Sequence, residues 1–255
     1  MDQTEYNRRA WDAIATSHRK WFVPVSEKEI EAARSGELKI KVTATKNLPT
    51  SWLGQVAGKR ILCLAGGGGH QGPLLAAAGA DVTVSDFSQA QLDIDQQISE
   101  RESLNLQTVQ CDMRDLSKLL DVEPFDMVLN PCSVNFCSDV PKVWQEAYRV
   151  LGAGGILITG VIQPVNYLFD AAELLEGRFV VQHSIPFVQT EFDPASLDDP
   201  ALPPTPAEYG HTLTDLIGGQ LKAGFRMTDF FEDRWGADDA LSDRIAVFAA
   251  TRAIK

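Results

Sequence analysis

Residues 61–70 read ILCLAGGGGH, an apolar run that breaks into four consecutive glycines. A short apolar run bounded by glycine is typical of a buried strand, and glycine lets the backbone turn tightly and approach a ligand closely. A second apolar run, residues 81–85, ends in Asp86. A carboxylate at that place can accept hydrogen bonds from both hydroxyls of a ribose, one strand over from the glycine turn. The stretch therefore predicts a nucleotide-binding edge of a parallel sheet.

Strand-like and helix-like segments alternate from residue 60 onward, which predicts a parallel sheet with helices on both faces. A helix is predicted over 73–78, and Ser88 with Gln91 reads as a capping box that opens the next helix. Two apolar stripes at helical spacing indicate further helices: Val140, Val143, Trp144, Ala147, Val150 and Leu151, and then Leu213, Leu216, Ile217 and Leu221. The predicted strands are 60–65, 81–85, 106–110, 125–130, 155–162, 225–231 and 244–251.

The segment 59–159 resembles the core of the class I S-adenosylmethionine-dependent methyltransferases, in particular the small-molecule, type 11 and type 25 domains. Their first motif reads acid-x-Gly-x-Gly-x-Gly. Cys63 stands at the acid position of this motif and Ala65 at its first glycine, while Gly67 and Gly69 match the other two. Asp86 matches the ribose acid.

Later motifs follow in the family's order. Phe87 matches the residue that lies against the adenine, and QCDM (110–113) resembles the third motif, in which Asp112 accepts from the adenine amino group and Met113 packs beside it. RVLGAGGILI (149–158) resembles the helix, glycine turn and fifth strand. The resemblance implies S-adenosyl-L-methionine as cofactor, S-adenosyl-L-homocysteine as product, and these binding residues: Ala65, Gly66, Gly67, Gly69, Asp86, Phe87, Asp112, Met113 and Asn130.

The fold class is thus expected to be α/β: a Rossmann-like, doubly wound, mostly parallel seven-stranded sheet with an antiparallel strand from a C-terminal hairpin and an inserted lid. The methyltransferase domain is expected over 59–255. Residues 1–58 contain a predicted helix over 4–18, with Trp11, Ile14, Ala15 and His18 on one side, followed by Trp21 and Phe22. In similar proteins such a segment folds over the cofactor; the alternative is a helix that only packs on the sheet.

The second region outside the core, about 163–210, stands where the family places substrate-binding insertions. It is rich in aromatic residues, its part 193–206 has five prolines, and 179–187 reads as an edge strand. We interpret it as a mobile lid over an organic substrate. The alternative is that this region is an ordinary surface loop or a contact in a homodimer.

The composition limits the kinds of partner that the chain is expected to bind. The chain has 255 residues, 44% of them hydrophobic, and a formal net charge of -12, which disfavours a nucleic acid partner. No apolar stretch reaches the length of a membrane span, so no membrane partner is expected. The four cysteines show no metal-ligand spacing, and without a signal peptide they read as reduced thiols in a cytoplasmic protein. We expect a small-molecule substrate and no metal.

Methyl transfer from a sulfonium is an in-line displacement, in which positioning can supply roughly 7 to 11 kcal/mol, so a strong base is not required. Asn130-Pro131-Cys132-Ser133 matches half of the Asn/Asp-Pro-Pro-aromatic motif of nucleobase amino methyltransferases, and Asn130 is expected to line the cofactor site. His211, at the start of the last helix, is the candidate catalytic residue, and His70 is expected to cap or face the glycine loop.

The leading hypothesis is a methyltransferase that acts on the oxygen, nitrogen or carbon of a small metabolite. An NAD-dependent dehydrogenase remains an alternative, because a glycine loop and Asp86 would also serve NAD. A non-catalytic module that binds S-adenosylmethionine is the other alternative, since Cys63 and Ala65 depart from the motif.

Overall fold

The computed structural model describes residues 1–16, 23–119, 123–198, 204–236 and 239–255. The predicted positions of His18, Trp21 and Phe22 lie outside these residues. The described helices are α1 (Gln3–Thr16), α2 (Glu27–Arg34), α3 (Thr50–Leu53), α4 (Gln71–Ala77), α5 (Gln89–Glu102), α6 (Val140–Val150), α7 (Ala171–Leu175) and α8 (Gly219–Ala223). The described strands are β1 (Arg60–Leu64), β2 (Asp81–Asp86), β3 (Leu106–Gln110), β4 (Phe125–Asn130), β5 (Leu151–Ile162), β6 (Phe187–Val188), β7 (Tyr209–Gly210), β8 (Arg226–Asp233) and β9 (Phe248–Ile254).

Seven strands form one sheet in the order β3-β2-β1-β4-β5-β9-β8. The strands β1 to β5 run parallel, and β9 is antiparallel to both of its neighbours, β5 and β8. The predicted fold class is therefore confirmed, including the antiparallel strand from the closing hairpin. Because the chain moves outward from β1 in one direction and from β4 in the other, the carboxyl ends of β1 and β4 border a crevice, where open α/β sheets bind ligands.

Two strands begin four residues away from their predicted starts. β5 begins at Leu151, before the glycine turn, because Leu151 pairs with Phe125 ahead of a register shift in the β4–β5 ladder. β9 begins at Phe248 and not at residue 244, because Arg244 and Ile245 both donate backbone hydrogen bonds to Leu241 in a turn.

The segment 179–187 is not an edge strand of the main sheet. Only its last residue belongs to a strand, β6, which pairs with β7 in a separate two-stranded sheet. Val181 forms an isolated bridge with Phe169. Aromatic pairs within the insertion, Tyr167 with Phe187 and Phe169 with Phe179, pack against each other.

Apolar side chains fill both faces of the sheet. One cluster centres on α6, and all six residues of its predicted stripe are buried. The second predicted stripe is wrong at two of its four positions, since Leu213 and Leu221 are 55% and 53% exposed. The helix begins with a π-helical turn over Thr214–Gly218, and its wider spacing puts residues out of phase with an α-helical stripe. No helix of the described residues is long and apolar enough to cross a membrane.

The chain before β1 is fixed to the far end of the sheet by Asp233. Its buried carboxylate accepts hydrogen bonds from the hydroxyls of Thr43 and Thr45 and from the backbone N–H groups of Thr45 and Lys46, at 2.6 to 2.9 Å. The neighbouring Val42 carbonyl accepts from the N–H of Cys132 at 3.0 Å. These contacts hold the segment that follows β4 in place.

Candidate functional site

A cavity opens at the carboxyl edge of β1, β2 and β4, the place expected from the topology. Its volume is about 180 Å³. Helix α1 closes one side of it through Trp11, whose ring meets Phe136 edge-on at 5.1 Å between centroids. The lining residues are Trp11, Ala65, Gly66, Gly67, His70, Gln71, Asp86, Phe87, Gln91, Met113, Pro131, Cys132, Ser133 and Phe136.

Three consecutive N–H groups of the glycine loop are held by two carboxylates. Gly67 donates to Asp86 Oδ2 at 3.1 Å, while Gly68 and Gly69 both donate to Asp95 Oδ2, at 2.8 and 3.0 Å. Asp86 ends β2 and Asp95 lies on α5, so the loop is fixed between a strand and a helix. This arrangement sets the backbone path that borders the cavity.

Both carboxyls are poor anions in this environment. Burial raises the pKa of Asp86 to about 6, and burial raises the pKa of Asp95 to about 7, in each case against backbone hydrogen bonds that favour the charged form. Asp95 Oδ1 is buried and has no hydrogen-bond partner among the described residues. Ionisation of Asp95 is therefore costly, because it leaves one buried carboxylate oxygen without a hydrogen bond.

We expect Asp95→Asn to change how stability depends on pH. The ordinary carboxyl pKa is 3.8 and the folded value is about 7, so the native state holds this proton more tightly than the unfolded chain. The stabilisation is fully present below about pH 4 and is lost as the pH rises to about 7. Asparagine has no such ionisation, so its free energy of unfolding should rise relative to wild type over this range.

Denaturant unfolding at pH 5, 6, 7 and 8 measures this difference. Asp93→Asn is the matched control, because Asp93 is an exposed carboxyl on the same helix. Parallel stability curves for Asp95→Asn and wild type would contradict the expectation.

Six predicted binding residues line the cavity: Ala65, Gly66, Gly67, Asp86, Phe87 and Met113. Asp86 Oδ1 also accepts from the N–H of Ser88 at 3.0 Å, which fixes the carboxylate at the carboxyl end of β2. Ser88 accepts from the N–H of Gln91, as half of the predicted capping box. The other half is absent from the contacts of the described residues, because the Gln91 side chain donates to the Trp11 carbonyl at 3.3 Å.

Gly69 does not line the cavity. Its φ is +73°, and a Cβ there would stand 2.5 Å from Ile98 Cδ1 and 2.9 Å from Ile94 Cγ2. Glycine is required at this position because the loop packs closely against α5. The requirement comes from this packing and not from close approach to a ligand.

Asp112 lies in a small depression beside the main cavity, next to Met113 and Phe87. Its carboxylate is bound in a fork by Arg114, with contacts of 2.5 to 3.1 Å. Arg114 also donates to Thr4 of α1 at 3.2 Å. The predicted partner of an adenine amino group is therefore already engaged in an ion pair that reaches α1.

The structure places Asn130 inside the sheet and not on the cavity wall. Its Nδ2 donates to the Leu64 carbonyl and to Ser133 Oγ, each at 2.8 Å, and its Oδ1 accepts from Thr159 Oγ1 at 2.9 Å. The side chain ties β1, β4 and β5 together at the point where the strands end. The three residues that follow it, 131–133, form the wall instead.

The candidate catalytic residue His211 is absent from the lining of this cavity. It is buried, and its Nε2 lies 3.1 Å from the Val134 carbonyl. Burial lowers the pKa of His211, which favours the neutral ring. The structure does not bring this histidine to the cavity, and its imidazole has a structural partner.

His70 faces the cavity as expected but makes no side-chain capping bond to α4. The described residues of the predicted lid, 163–198 and 204–210, contribute none of the lining residues, and α1 supplies the cover. Sequence reasoning missed Gln71, Gln91, Phe136 and the anchor Asp95. A signal for Asp95 was present, since Leu92, Asp95 and Ile98 share one helical stripe, and all three are buried.

Comparisons with known proteins agree with this geometry. A family model described as a methyltransferase domain matches residues 62–159. The chain is 43% identical to an uncharacterized methyltransferase, YbaJ, of Bacillus subtilis over 251 residues, covering 98% of this chain and 97% of that protein. The crystal structure of an S-adenosylmethionine-dependent methyltransferase from Mesorhizobium loti has a TM-score of 0.60 at 16% identity, over 80% of this chain and 94% of that one.

A putative enzyme of the same class from Listeria monocytogenes has a TM-score of 0.58 at 19% identity, over 88% of this chain and 99% of that one. At these identities the two structures show the fold, while the Bacillus relative shows the family. The chain belongs to the class I S-adenosylmethionine-dependent methyltransferase family. It is a methyltransferase.

Proposed function

We propose that the chain uses S-adenosyl-L-methionine to methylate an oxygen, nitrogen or carbon atom of a small metabolite. The observation that carries this proposal is the glycine loop, whose N–H groups are taken by Asp86 and Asp95. When bound, the cofactor supplies an electrophilic methyl group on a positively charged sulfur. The chain's own residues supply a fixed, largely apolar cavity beside that loop.

The residues on the cavity wall fit such a cofactor. Asp86 presents a fixed carboxylate that can accept from ribose hydroxyls, and Phe87 and Met113 offer apolar surfaces for a purine ring. Gly67 allows the loop to pack closely against this carboxylate, since a Cβ there would stand 3.2 Å from Asp86 Oδ2. Trp11, Phe87 and Phe136 exclude water from the cavity, which suits a reaction that depends on positioning.

The same loop argues against a dinucleotide. NAD binding needs free loop N–H groups and a positive local potential for the pyrophosphate. Here the N–H groups of Gly67, Gly68 and Gly69 donate to carboxylates, which also place negative charge next to the loop. Such a site favours a ligand that carries a cationic sulfur and an ammonium group and has no phosphate.

Calorimetry and thermal unfolding with S-adenosylmethionine, S-adenosylhomocysteine and NAD test the cofactor. A ligand at a hundred times its dissociation constant should stabilise the protein by about 2.7 kcal/mol, and NAD should not. Stabilisation by NAD alone would overturn the proposal. Transfer of a labelled methyl group to a metabolite extract separates an enzyme from a non-catalytic binding module.

Asp86→Ala should weaken binding of S-adenosylhomocysteine by about 1.5 to 3 kcal/mol, because a charge-assisted hydrogen bond to the ribose is lost. Calorimetry at pH 8 measures this with Asp86 ionised, since its pKa is raised to about 6. Asp93→Ala is the control, as Asp93 is exposed on α5. Equal affinities in the two variants would remove Asp86 from the site.

A further inference from the structure

A second pocket lies against the wall of the cavity, between α2, α4 and the segment 39–47. Its volume is about 310 Å³, near the lower end of the range of about 300 to 1,000 Å³ for small-molecule sites. The cavity itself has a volume of about 180 Å³, which leaves little space for a methyl acceptor beside a nucleoside. His70 and Gln71 line both spaces, so the cavity and the second pocket share a wall.

Hydrogen bonds fix the second pocket to the glycine loop and to α4. The N–H of Val25, which lines the pocket, donates to the Gly69 carbonyl at 2.9 Å. Gln71 Nε2 donates to the Lys41 carbonyl, also at 2.9 Å, and so ties the segment 39–47 to the shared wall. The backbone that borders the cavity therefore also sets the shape of the second pocket.

Two lysines give the second pocket a positive charge, although the chain as a whole has a formal net charge of -12. Lys39 and Lys41 both line the pocket, and both are exposed. Among the described residues, neither ammonium group forms an ion pair or a hydrogen bond. Asn47 also lines the pocket, and its side-chain amide can donate to an anion.

Glu29 supplies the carboxylate of the second pocket, but this group is already engaged. Its Oε2 accepts from the N–H and the hydroxyl of Ser26, at 2.8 and 2.7 Å. The hydrogen bonds from Ser26 lower the pKa of Glu29, and the charge of Lys41 adds to this effect. Burial lowers the pKa of His70, which favours its neutral ring. Two ammonium groups against one carboxylate leave the pocket with an excess of positive charge.

We propose that the second pocket binds the methyl acceptor, and that this acceptor is a small organic anion whose carboxylate or phosphate group is held by Lys39 and Lys41. The inference rests on the proposed function, because it takes the ligand to be the acceptor of that reaction. Ammonium groups form charge-assisted hydrogen bonds with both kinds of anion. Val25 and Leu74 offer apolar surface for the organic part of the ligand. A cationic acceptor would be repelled by the two lysines.

Three probes of nearly equal size and shape test this chemistry: benzoate, benzamide and benzamidine, which carry a negative charge, no charge and a positive charge. Their binding is measured by saturation-transfer NMR with the protein saturated by S-adenosylhomocysteine, so that the ring does not enter the cavity. We expect benzoate to bind at least about fivefold more tightly than benzamide, and benzamidine to bind most weakly. Equal or weaker binding of benzoate, or no saturable binding of it, would overturn the proposal. Phenyl phosphate separates the two anions, since tighter binding than that of benzoate assigns the site to a phosphate and weaker binding assigns it to a carboxylate.

The double variant Lys39→Gln/Lys41→Gln assigns the effect to the second pocket. It should remove the preference for benzoate and leave the affinity for benzamide within about twofold of wild type. Because both lysines are exposed, the double variant should fold as wild type does. Lys28→Gln/Lys222→Gln is the matched control, since these lysines are also exposed and are not among the residues that line the pocket. If the two double variants bind benzoate alike, the inference fails.

The methionine carboxylate of the cofactor is the competing ligand for the two lysines. Calorimetry with S-adenosylhomocysteine and with methylthioadenosine, which lacks that carboxylate, separates the two cases. Unchanged affinity for S-adenosylhomocysteine in Lys39→Gln/Lys41→Gln supports the inference. A fall in that affinity would overturn it, and would assign the lysines to the cofactor if methylthioadenosine binds as it does to wild type.

Transfer of a labelled methyl group to a metabolite extract tests the acceptor directly. Passing the extract over an anion-exchange resin should remove the acceptor and abolish transfer by wild type, whereas an uncharged resin of the same matrix should not. Transfer that survives anion exchange would overturn the inference while the proposed function stands. If wild type does not bind S-adenosylhomocysteine, or transfers no label to the untreated extract, the proposed function itself fails.

Discussion

Gly67→Val is expected to abolish binding of S-adenosylhomocysteine. A Cβ at residue 67 would stand 2.8 Å from Gln91 Cβ and 3.2 Å from Asp86 Cβ, which are too close for a side chain. The Gln91 Cβ is bonded directly to the backbone of α5 and has little freedom to move. Valine would therefore push the loop away from α5 and from the carboxylate that receives the Gly67 N–H. Calorimetry should show no heat of binding.

The matched control is Gly236→Val, because a Cβ at residue 236 meets no atom of the described residues within 4 Å. Circular dichroism and gel filtration establish that both variants are folded. Wild-type affinity in a folded Gly67→Val protein would mean that this loop does not form the cofactor cradle.

Asp95→Ala is expected to cause the largest loss of stability of the substitutions considered. It leaves the Gly69 N–H without its acceptor in a buried place, while the Gly68 N–H keeps a hydrogen bond to the Gln91 carbonyl at 3.1 Å. An unsatisfied buried N–H costs about 1 to 3 kcal/mol, so the loss should be at least of that size. Because the loop then lacks its helix anchor, the affinity for S-adenosylhomocysteine should fall as well.

Asp95→Asn separates the hydrogen bonds from the charge. Its side-chain oxygen can still accept from both N–H groups, so affinity should stay close to wild type at pH 7. Stability at pH 7 should equal or exceed that of wild type, because asparagine does not ionise. Denaturant unfolding and calorimetry measure the two quantities in parallel. If asparagine is as damaging as alanine, the charge of Asp95 matters more than its role as an acceptor.

The local motifs of the site could be predicted from sequence. A glycine loop after an apolar run, with an acid at the end of the next strand, depends on neighbours along the chain and on one pair of adjacent strands. Gly67, Asp86 and Phe87 accordingly lie where the motifs place them. The sheet followed from the alternation of segments in the same way.

The structure departs from the sequence-based expectation where an interaction between distant segments decides the position of a side chain. Asn130 resembles part of a catalytic motif, but the carbonyl at the end of β1 needs a donor and Asn130 supplies it. The position of His211 after the insertion suggests a catalytic role, but its Nε2 lies within hydrogen-bond distance of the Val134 carbonyl. The apolar stripe of Leu92 and Ile98 indicates that Asp95 is buried, but its role depends on the glycine loop that packs over it.

The contacts of α1 have a consequence for the rates at which ligands enter and leave. The Asn7 side chain donates to the carbonyls of Phe136, at 3.3 Å, and Ala207, and it accepts from the N–H of Ala207. Asp12 accepts from Ser88 Oγ at 2.6 Å. The helix that covers the cavity is thus fastened to both of its sides. Movement of α1 away from the cavity breaks these hydrogen bonds together. We therefore expect ligand exchange on this side to require detachment of the helix, so that the residence time of a bound ligand depends on that opening as well as on its own contacts.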